Sequence, residues 1–300
     1  MFSLKPKITI ATHDGEFHAD DVFAVAALEL LLSETSKIKI ARTRDEKIIS
    51  LADYVVDVGG VHGPEKNRFD HHQTGGGGER VNGIAYASFG LVWKKYGEKI
   101  SGSKEIAETI DQKLVQPVDA IDNGIQVSKE IFTNVKPFDI SSIIGALNPT
   151  WKEESTDIDS RFIKSVELAK NILLREITVA KDNFEGSVFA REAYEKSSDK
   201  RLIILDQKFP FERTFMEFPE PLFVVYPRNG VWRIKAIKKD SSSFENRKSL
   251  PASWGGKQGA ELEAVSGVPG ALFCHNKLFM AAAKTKEAAV SMANTAINVS

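Results

Sequence analysis

The sequence predicts an α/β protein: a parallel-sheet domain with helices on both faces, followed by a smaller α+β domain. Three observations carry this expectation. Strand-like and helix-like patterns alternate over residues 7–58, the texture changes from Arg201 onward to strands broken by Pro and Gly, and 300 residues suit two domains at ~100 to 200 residues each.

Lys7 to Thr12 (KITIAT) alternates β-branched residues and ends in a polar cluster, as a strand entering a loop does. Ala19 to Leu32 (ADDVFAVAALELLL) is apolar nearly all round and reads as a helix buried on most sides. Ile38 to Ala41 and Tyr54 to Val58 (YVVDV) are short apolar strands with the helical stretch Arg44 to Leu51 between them, so the order is β-α-β-α-β and the sheet parallel. GGVHGPEKNRFDHHQTGGGG then reads as a loop interrupted by a short strand at Arg68 to Asp70, and its Gly75 to Gly78 run is expected to be mobile unless substrate orders it.

Gly83 to Tyr96 and Lys104 to Ile121 read as helices covering the sheet. Apolar residues at Ile158, Phe162, Val166, Ala169, Leu173 and Ile177 give one face of a long connecting helix. RLIILD, LFVVYP and VWRIKAIK are strands divided by prolines and by Asn229-Gly230, a hairpin turn, and together they predict an antiparallel sheet. ALFCHNKLFMAA forms a further hairpin, and a helix runs from Thr285 to Ala296. The expected domains are 1–150 for catalysis, 151–194 for the connecting helix and 195–300 for substrate binding.

Hydrophobic residues at 42% and charged residues at 27% argue against disorder and against a disulfide scaffold. One cysteine, Cys274, leaves this chain alone no internal disulfide, thiolate zinc site or iron–sulfur cluster. The longest apolar run, Phe23 to Leu32, contains Glu29 and falls short of the ~20 residues a membrane span needs. The opening MFSLKPKITIATHDG lacks the apolar core of a signal peptide, so a cytosolic, membrane-free protein is expected. With 40 Lys+Arg against 41 Asp+Glu there is no global pull toward nucleic acid. A polyanion must be held by a local basic patch or a bound cation.

Five of the six histidines, His13, His18, His62, His71 and His72, fall within residues 13–72, together with Asp14, Asp20, Asp21, Asp57 and Asp70. Imidazoles mixed with carboxylates suit Mn²⁺ and related divalent ions. Ligands of a parallel α/β sheet bind outside the carboxyl ends of its strands, where several of these residues fall, and VDAIDNG adds Asp119 and Asp122 at a helix end. Each aspartate taken singly has an ordinary alternative: Asp20 and Asp21 as first-turn helix acids, Asp57 as a turn residue, Asp119 or Asp122 as a cap. Asp70-His71-His72, flanked by Phe69 and a glycine run, has no packing rationale and favours a metal site. His62 reads as structural or surface, and His275 as a buried strand residue or a phosphate contact.

THDGEFHADDV, VVDVGG, FDHHQT and VDAIDNG resemble the four motifs of the DHH phosphoesterase superfamily, and the first and third resemble its melanocyte-proliferating-gene (Myg) exonuclease branch most closely. PASWGG, VSGVPG and LFCHN carry that resemblance to nearly the full chain. The resemblance implies two divalent ions, Mn²⁺ or Mg²⁺. His13, His18 and Asp57 would hold one, and Asp20, Asp57 and His71 the other with Asp122 or Asp119, so that Asp57 bridges. Asp21 could stand in for Asp20. His72 would face the scissile phosphate and Asp70 would orient it. Most of the superfamily has an aspartate where this chain has His18, as the Myg branch does. An Arg usually follows the Trp of PASW, but here Trp254 precedes Gly255-Gly256, so Lys257, Arg247 or Lys248 could replace that cation.

The implied protein is a phosphodiesterase, an exonuclease acting on single-stranded RNA or DNA or on short oligonucleotides through a metal-activated water. Alternatives are hydrolysis of a small phosphoanhydride or cyclic dinucleotide at the same ions, and a non-catalytic, metal-stabilised protein. Trp254 with Arg247, Lys248, Lys257 and His275 is the expected grip on substrate. Arg42 and Arg44 are also placed to reach a polyanion. The oligomeric state is not legible in the sequence.

Overall fold

The computed structural model describes residues 5–153, 157–240 and 244–299. Residues 1–4 of the N-terminal stretch, 154–156 in the expected connecting segment and 241–243 in the basic segment lie outside the described residues. The chain forms two compact units, Met1–Lys181 and Asp182–Ser300. It is an α/β protein with two mixed five-stranded sheets, one in each unit.

The first unit opens with β1 (Lys7–Thr12), α1 (Ala19–Leu32), β2 (Lys37–Arg42), α2 (Glu46–Leu51), β3 (Tyr54–Val56), β4 (His62–Gly63) and β5 (Arg68–Phe69). The sheet order is β2-β1-β3-β5-β4. Four strands are parallel as expected, while the edge strand β4 runs antiparallel to β5. That exception arises because a short turn at Pro64–Lys66, closed by Asn67 in the left-handed region at φ 57°, reverses the chain at once. The chain leaves β1 toward β2 and returns to the other side for β3, so β1 and β3 flank a topological switch point. In α1 every residue from Ala19 to Leu28 is buried, which is why the helix shows no polar face.

Helices α3 (Ser88–Ser101), α4 (Lys104–Ile110), α5 (Gln116–Asp122), α6 (Ile140–Gly145) and α7 (Ile158–Lys196) follow. The first starts five residues later than its expected onset at Gly83, because Glu79 and Ala85 form a β-bridge and Gly83 sits at φ 82°. The helix expected over Lys104 to Ile121 contains a π-helical turn, Asp111–Val115, just before Pro117, which has no N–H to continue the regular ladder. The Gly75–Gly78 run is a turn, closed in part by Gly76 N–H donating to the Gln73 carbonyl at 2.8 Å. Phe162, Val166, Ala169, Leu173 and Ile177 of α7 are buried in the first unit's core, at the spacing the sequence displays. The two units divide inside this helix, between Lys181 and Asp182.

The second unit contains β6 (Leu202–Ile204), α8 (Glu212–Met216), β7 (Phe223–Arg228), β8 (Val231–Ala236), α9 (Gly259–Ser266), β9 (Ala271–Cys274), β10 (Met280–Ala283) and α10 (Lys286–Asn298). Its order is β6-β7-β8-β10-β9. Asn229 and Gly230 turn β7 into β8 with φ of 52° and 76°, as an Asn-Gly hairpin requires. The sheet is not wholly antiparallel: β6 pairs parallel with β7, since α8 lies between them in sequence and carries the chain back. Phe223, Val225 and Ile234 pack toward α9 and α10, and Val224 and Tyr226 toward Phe211 and Phe215, so both faces are covered. Among the described residues no helix is long and apolar enough to cross a membrane.

Helices α3 and α5 approach at Gly90. Asp119 Oδ1 accepts the Gly90 N–H at 3.0 Å, and its Oδ2 pairs with Arg80 Nη1 at 2.8 Å. Arg80 also reaches Asp111 at 2.9 Å and lies over the Tyr86 ring. Burial raises the Asp119 carboxyl to about 7 against the opposing charge of Arg80. A Cβ on Gly90 would lie 1.8 Å from Asp119 Oδ2, so Gly90→Ala should destabilise the protein by about 1–3 kcal/mol in urea unfolding. An unmoved midpoint would show that this contact relaxes freely.

Candidate metal centre

Three parallel strands deliver their carboxyl ends to one edge of the first sheet. His13 follows β1, Asp57 follows β3, and Asp70, His71 and His72 follow β5. The N-terminus of α1 adds Asp20 and Asp21 in its first turn, where the helix dipole favours negative charge. The last residue of α5 adds Asp122.

Asp57 stands at the centre. Its Oδ2 is 3.3 Å from His13 Nε2 and its Oδ1 is 3.2 Å from His71 Nε2, so the two oxygens face different imidazoles. Its backbone takes φ 55°, a conformation Asp tolerates better than most residues, and this swings the side chain out of the strand's regular alternation. Around His13 lies Asp21 Oδ2, also at 3.3 Å. Around His71 lie Asp122 Oδ2 at 3.2 Å and Asp20 Oδ2 at 3.8 Å. Potential ligand atoms fall within 4.8 Å of one another in three groups: His13, Asp21 and Asp57; Asp57, His71 and His72; His18, Asp20 and Asp122.

Supporting bonds fix these side chains. Asp21 Oδ1 accepts the His18 N–H at 2.9 Å, which holds the first turn of α1. Asp70 is buried, accepts the Gly60 N–H at 2.6 Å through Oδ2, and meets His72 Nδ1 at 2.9 Å through Oδ1. His72 is the open member, with 63% of its side chain exposed. Ser88, at the start of α3, donates to Asp57 Oδ1 at 3.0 Å. Sequence reasoning missed Ser88 because a serine 31 positions from its partner carries no local signal.

The electrostatics call for cations. Asp20 is fully buried and neither of its oxygens has a hydrogen-bond partner, and Asp21 Oδ2 is likewise unpartnered. Burial, reinforced by the charges of Asp57 and Asp122, pushes the Asp20 pKa well above the usual carboxylate range. Burial also raises Asp21 to about 7 against the pull of His13. Burial lowers the His13 pKa, but the hydrogen bond to Asp57 and the charge of Asp21 outweigh it and lift His13 to about 9. His71 is raised likewise, burial being outweighed by its bond to Asp57. Asp57 is lowered, its burial overcome by the hydrogen bonds from His13 and His71. Protons on these groups thus offset a crowd of carboxylates, which is what divalent cations offset when bound. Oxygen and imidazole donors without sulfur suit Mn²⁺ or Mg²⁺. The residues fit the group.

Of the residues expected at this site, Asp119 is turned to Arg80 and Gly90, whereas Asp122 faces His71. Asp20 and Asp21 both face the cluster, Asp21 beside His13 and Asp20 beside His71. His18 lies with Asp20 and Asp122 rather than on the His13 side. His62 is exposed in β4. Arg42 is buried against Phe17 and Phe162 and pairs with Asp159 at 2.7 Å, so it serves packing, while Arg44 pairs with Asp14 at the surface.

In the second unit, Trp254 is 1% exposed within the apolar core and leaves no open ring face for a base. Arg247 donates to the carbonyls of Phe218, Pro221 and Met216, and Lys248 to that of Ile297 at 2.8 Å. His275 Nδ1 accepts the Lys277 N–H at 3.1 Å in the turn between β9 and β10. Lys257 is half-buried, and its backbone carbonyl accepts from Cys274.

Comparison with known proteins matches this arrangement to one lineage. The MYG1 exonuclease family model, described as uncharacterised protein family UPF0160, matches residues 9–297. A MYG1 protein of Dictyostelium discoideum is 32% identical over 98% of this chain and 97% of its own length. A MYG1 exonuclease of Rattus norvegicus is 30% identical over 96% of this chain and 84% of its own, and one of Homo sapiens 30% identical over 96% and 85%. A match from β1 through α10 takes in both sheets and every member of the His/Asp cluster, and the chain therefore belongs to the MYG1 exonuclease family.

Proposed function

We propose that the protein is a DHH-type, divalent-metal-dependent phosphodiesterase that removes nucleotides from an end of single-stranded RNA or DNA or of short oligonucleotides. The observation that carries this reading is Asp57, whose two oxygens address His13 at 3.3 Å and His71 at 3.2 Å from opposite sides of one carboxylate. His13, Asp21 and Asp57 would hold one cation, and Asp57, His71, Asp122 and Asp20 the other, with His18 at the edge of the second group. When bound, two such ions neutralise a phosphodiester and supply hydroxide near neutral pH. Mn²⁺ is the preferred ion on this reading. The names of the rat and human relatives, exonucleases, agree with it.

The chain's own residues do the rest. Asp70, held by the Gly60 N–H, fixes the His72 ring through Nδ1 and leaves Nε2 free to donate to a phosphate oxygen or leaving group. Ser88 steadies Asp57 from behind, so the shared carboxylate keeps its orientation. Buried Val56 and Phe69 precede the ligands and exclude water from beneath the site. The setting on this reading is the cytosol, where the buried Cys274 stays reduced.

Chelator-treated protein should lose hydrolysis of single-stranded RNA, DNA and dinucleotides and regain it with Mn²⁺. Full activity in a preparation that metal analysis finds empty would remove the mechanism, and pyrophosphate outperforming every oligonucleotide would reassign the substrate.

Asp57→Asn keeps the shape and the left-handed backbone but removes the shared charge, so turnover should fall roughly 10²–10³-fold, several kcal/mol of charge stabilisation, in a protein that melts normally. Turnover within a few-fold of the parent would deny Asp57 its bridging role.

His72→Ala should lower turnover per bound ion while the ion content stays at the parent level. Lost metal with undiminished turnover per ion would make His72 a ligand instead.

A further inference from the structure

A cavity of about 410 Å³ opens from the cluster between α1, α5 and α6, within the range of about 300–1,000 Å³ common for small-molecule sites. His18, Asp20 and Asp122 form one end of it. Val118, Ile121, Ser141 and Gly145 form the wall beyond, and no Lys or Arg lines it. Ser141 Oγ is buried there and makes no hydrogen bond, so its hydroxyl is uncommitted. Asp139 is committed already, accepting the Ser142 N–H at 2.8 Å as the cap of α6. The cavity continues past Ile121 and Ser142 into a second one of about 310 Å³, which reaches Ile125, Val127 and Lys136.

This lining discriminates between substrates. A second phosphate in the first cavity would meet carboxylates without any cation, an unfavourable desolvation. A neutral ribose and base would meet apolar Val118 and Ile121 and one free hydroxyl, the mixture that small-molecule sites use. We infer that this cleft holds the nucleoside attached to the scissile phosphate, its base against Val118 and Ile121 and its polar edge or ribose on Ser141, with the following phosphate at Lys136. The inference rests on the phosphodiesterase reading and sharpens it: the substrate is a nucleotidyl ester and not a phosphoanhydride, and the residues selecting it lie in the first unit.

The test uses the full chain loaded with Mn²⁺. A Cβ at Gly145 meets no atom within 4 Å, so Gly145→Leu fills the cavity without displacing protein atoms, and Ser141→Ala removes only the hydroxyl. Calorimetric affinity for adenosine monophosphate and steady-state kinetics on a short single-stranded RNA and on methyl 4-nitrophenyl phosphate are measured side by side. Gly145→Leu should weaken adenosine monophosphate binding and raise the RNA KM about tenfold, with a smaller loss on the nitrophenyl ester, and Ser141→Ala should do the same by about three- to tenfold. RNA cleavage with affinity and KM unmoved by Ser141→Ala, in protein with the parent's melting temperature, overturns the cleft and leaves the nuclease reading intact. A parent protein that hydrolyses pyrophosphate, cleaves no oligonucleotide and fails to bind adenosine monophosphate removes both.

Discussion

Four carboxylates, Asp20, Asp21, Asp57 and Asp122, crowd one edge of the first sheet, and three of them are almost wholly withdrawn from water. Burying an ionised carboxylate without a partner costs several kcal/mol, so such a cluster persists only where positive charge is supplied. The structure supplies part of it. The His13 and His71 imidazoles flank Asp57, and the dipole of α1 ends beside Asp20 and Asp21. The remainder, represented by the unpartnered oxygens of Asp20 and Asp21, is the charge of divalent ions. An apolar core beneath the site and the left-handed turn at Asp57 make sense as the means of holding that charge density in place.

Around the cluster lies a set of bonds that make no direct contact with an ion on this reading, yet decide where each ligand points. Asp70 and Gly60 hold His72, the His18 backbone holds Asp21, and Ser88 holds Asp57. Arg80 has a comparable part at longer range. By pairing with Asp119 and Asp111 it ties α5 to the loop before α3, and the same helix ends three residues later at Asp122. A single arginine thereby neutralises one acid of VDAIDNG and leaves the other to the cluster.

In the second unit the basic and aromatic residues do different work. Trp254 fills the core, Arg247 closes three backbone carbonyls and Lys248 a fourth. These carbonyls would otherwise be left without donors where strands and helices end, and an arginine with five N–H groups serves several at once. Positive charge in the sequence here secures main chain first.

Much of the fold was legible because periodicity is local. The order β-α-β-α-β, the all-apolar α1, the stripe from Phe162 to Ile177 and the Asn229-Gly230 hairpin follow from residues within one or two turns of one another. Antiparallel β4, parallel β6 and the late start of α3 did not, since pairing direction and helix onset depend on partners far away in sequence. For the site, the chain itself declared which residue types matter: histidines and aspartates gathered at strand ends, too polar for packing. Which of them share one point in space was a tertiary decision. Asp119 and Asp122 lie three residues apart in one helix, but only Arg80, nearly forty residues upstream, determines that Asp119 is neutralised and Asp122 is not. Trp254 and Arg247 read as a grip in one dimension and are core and carbonyl clamp in three, because burial is a property of the neighbours a fold brings and not of the residue it buries.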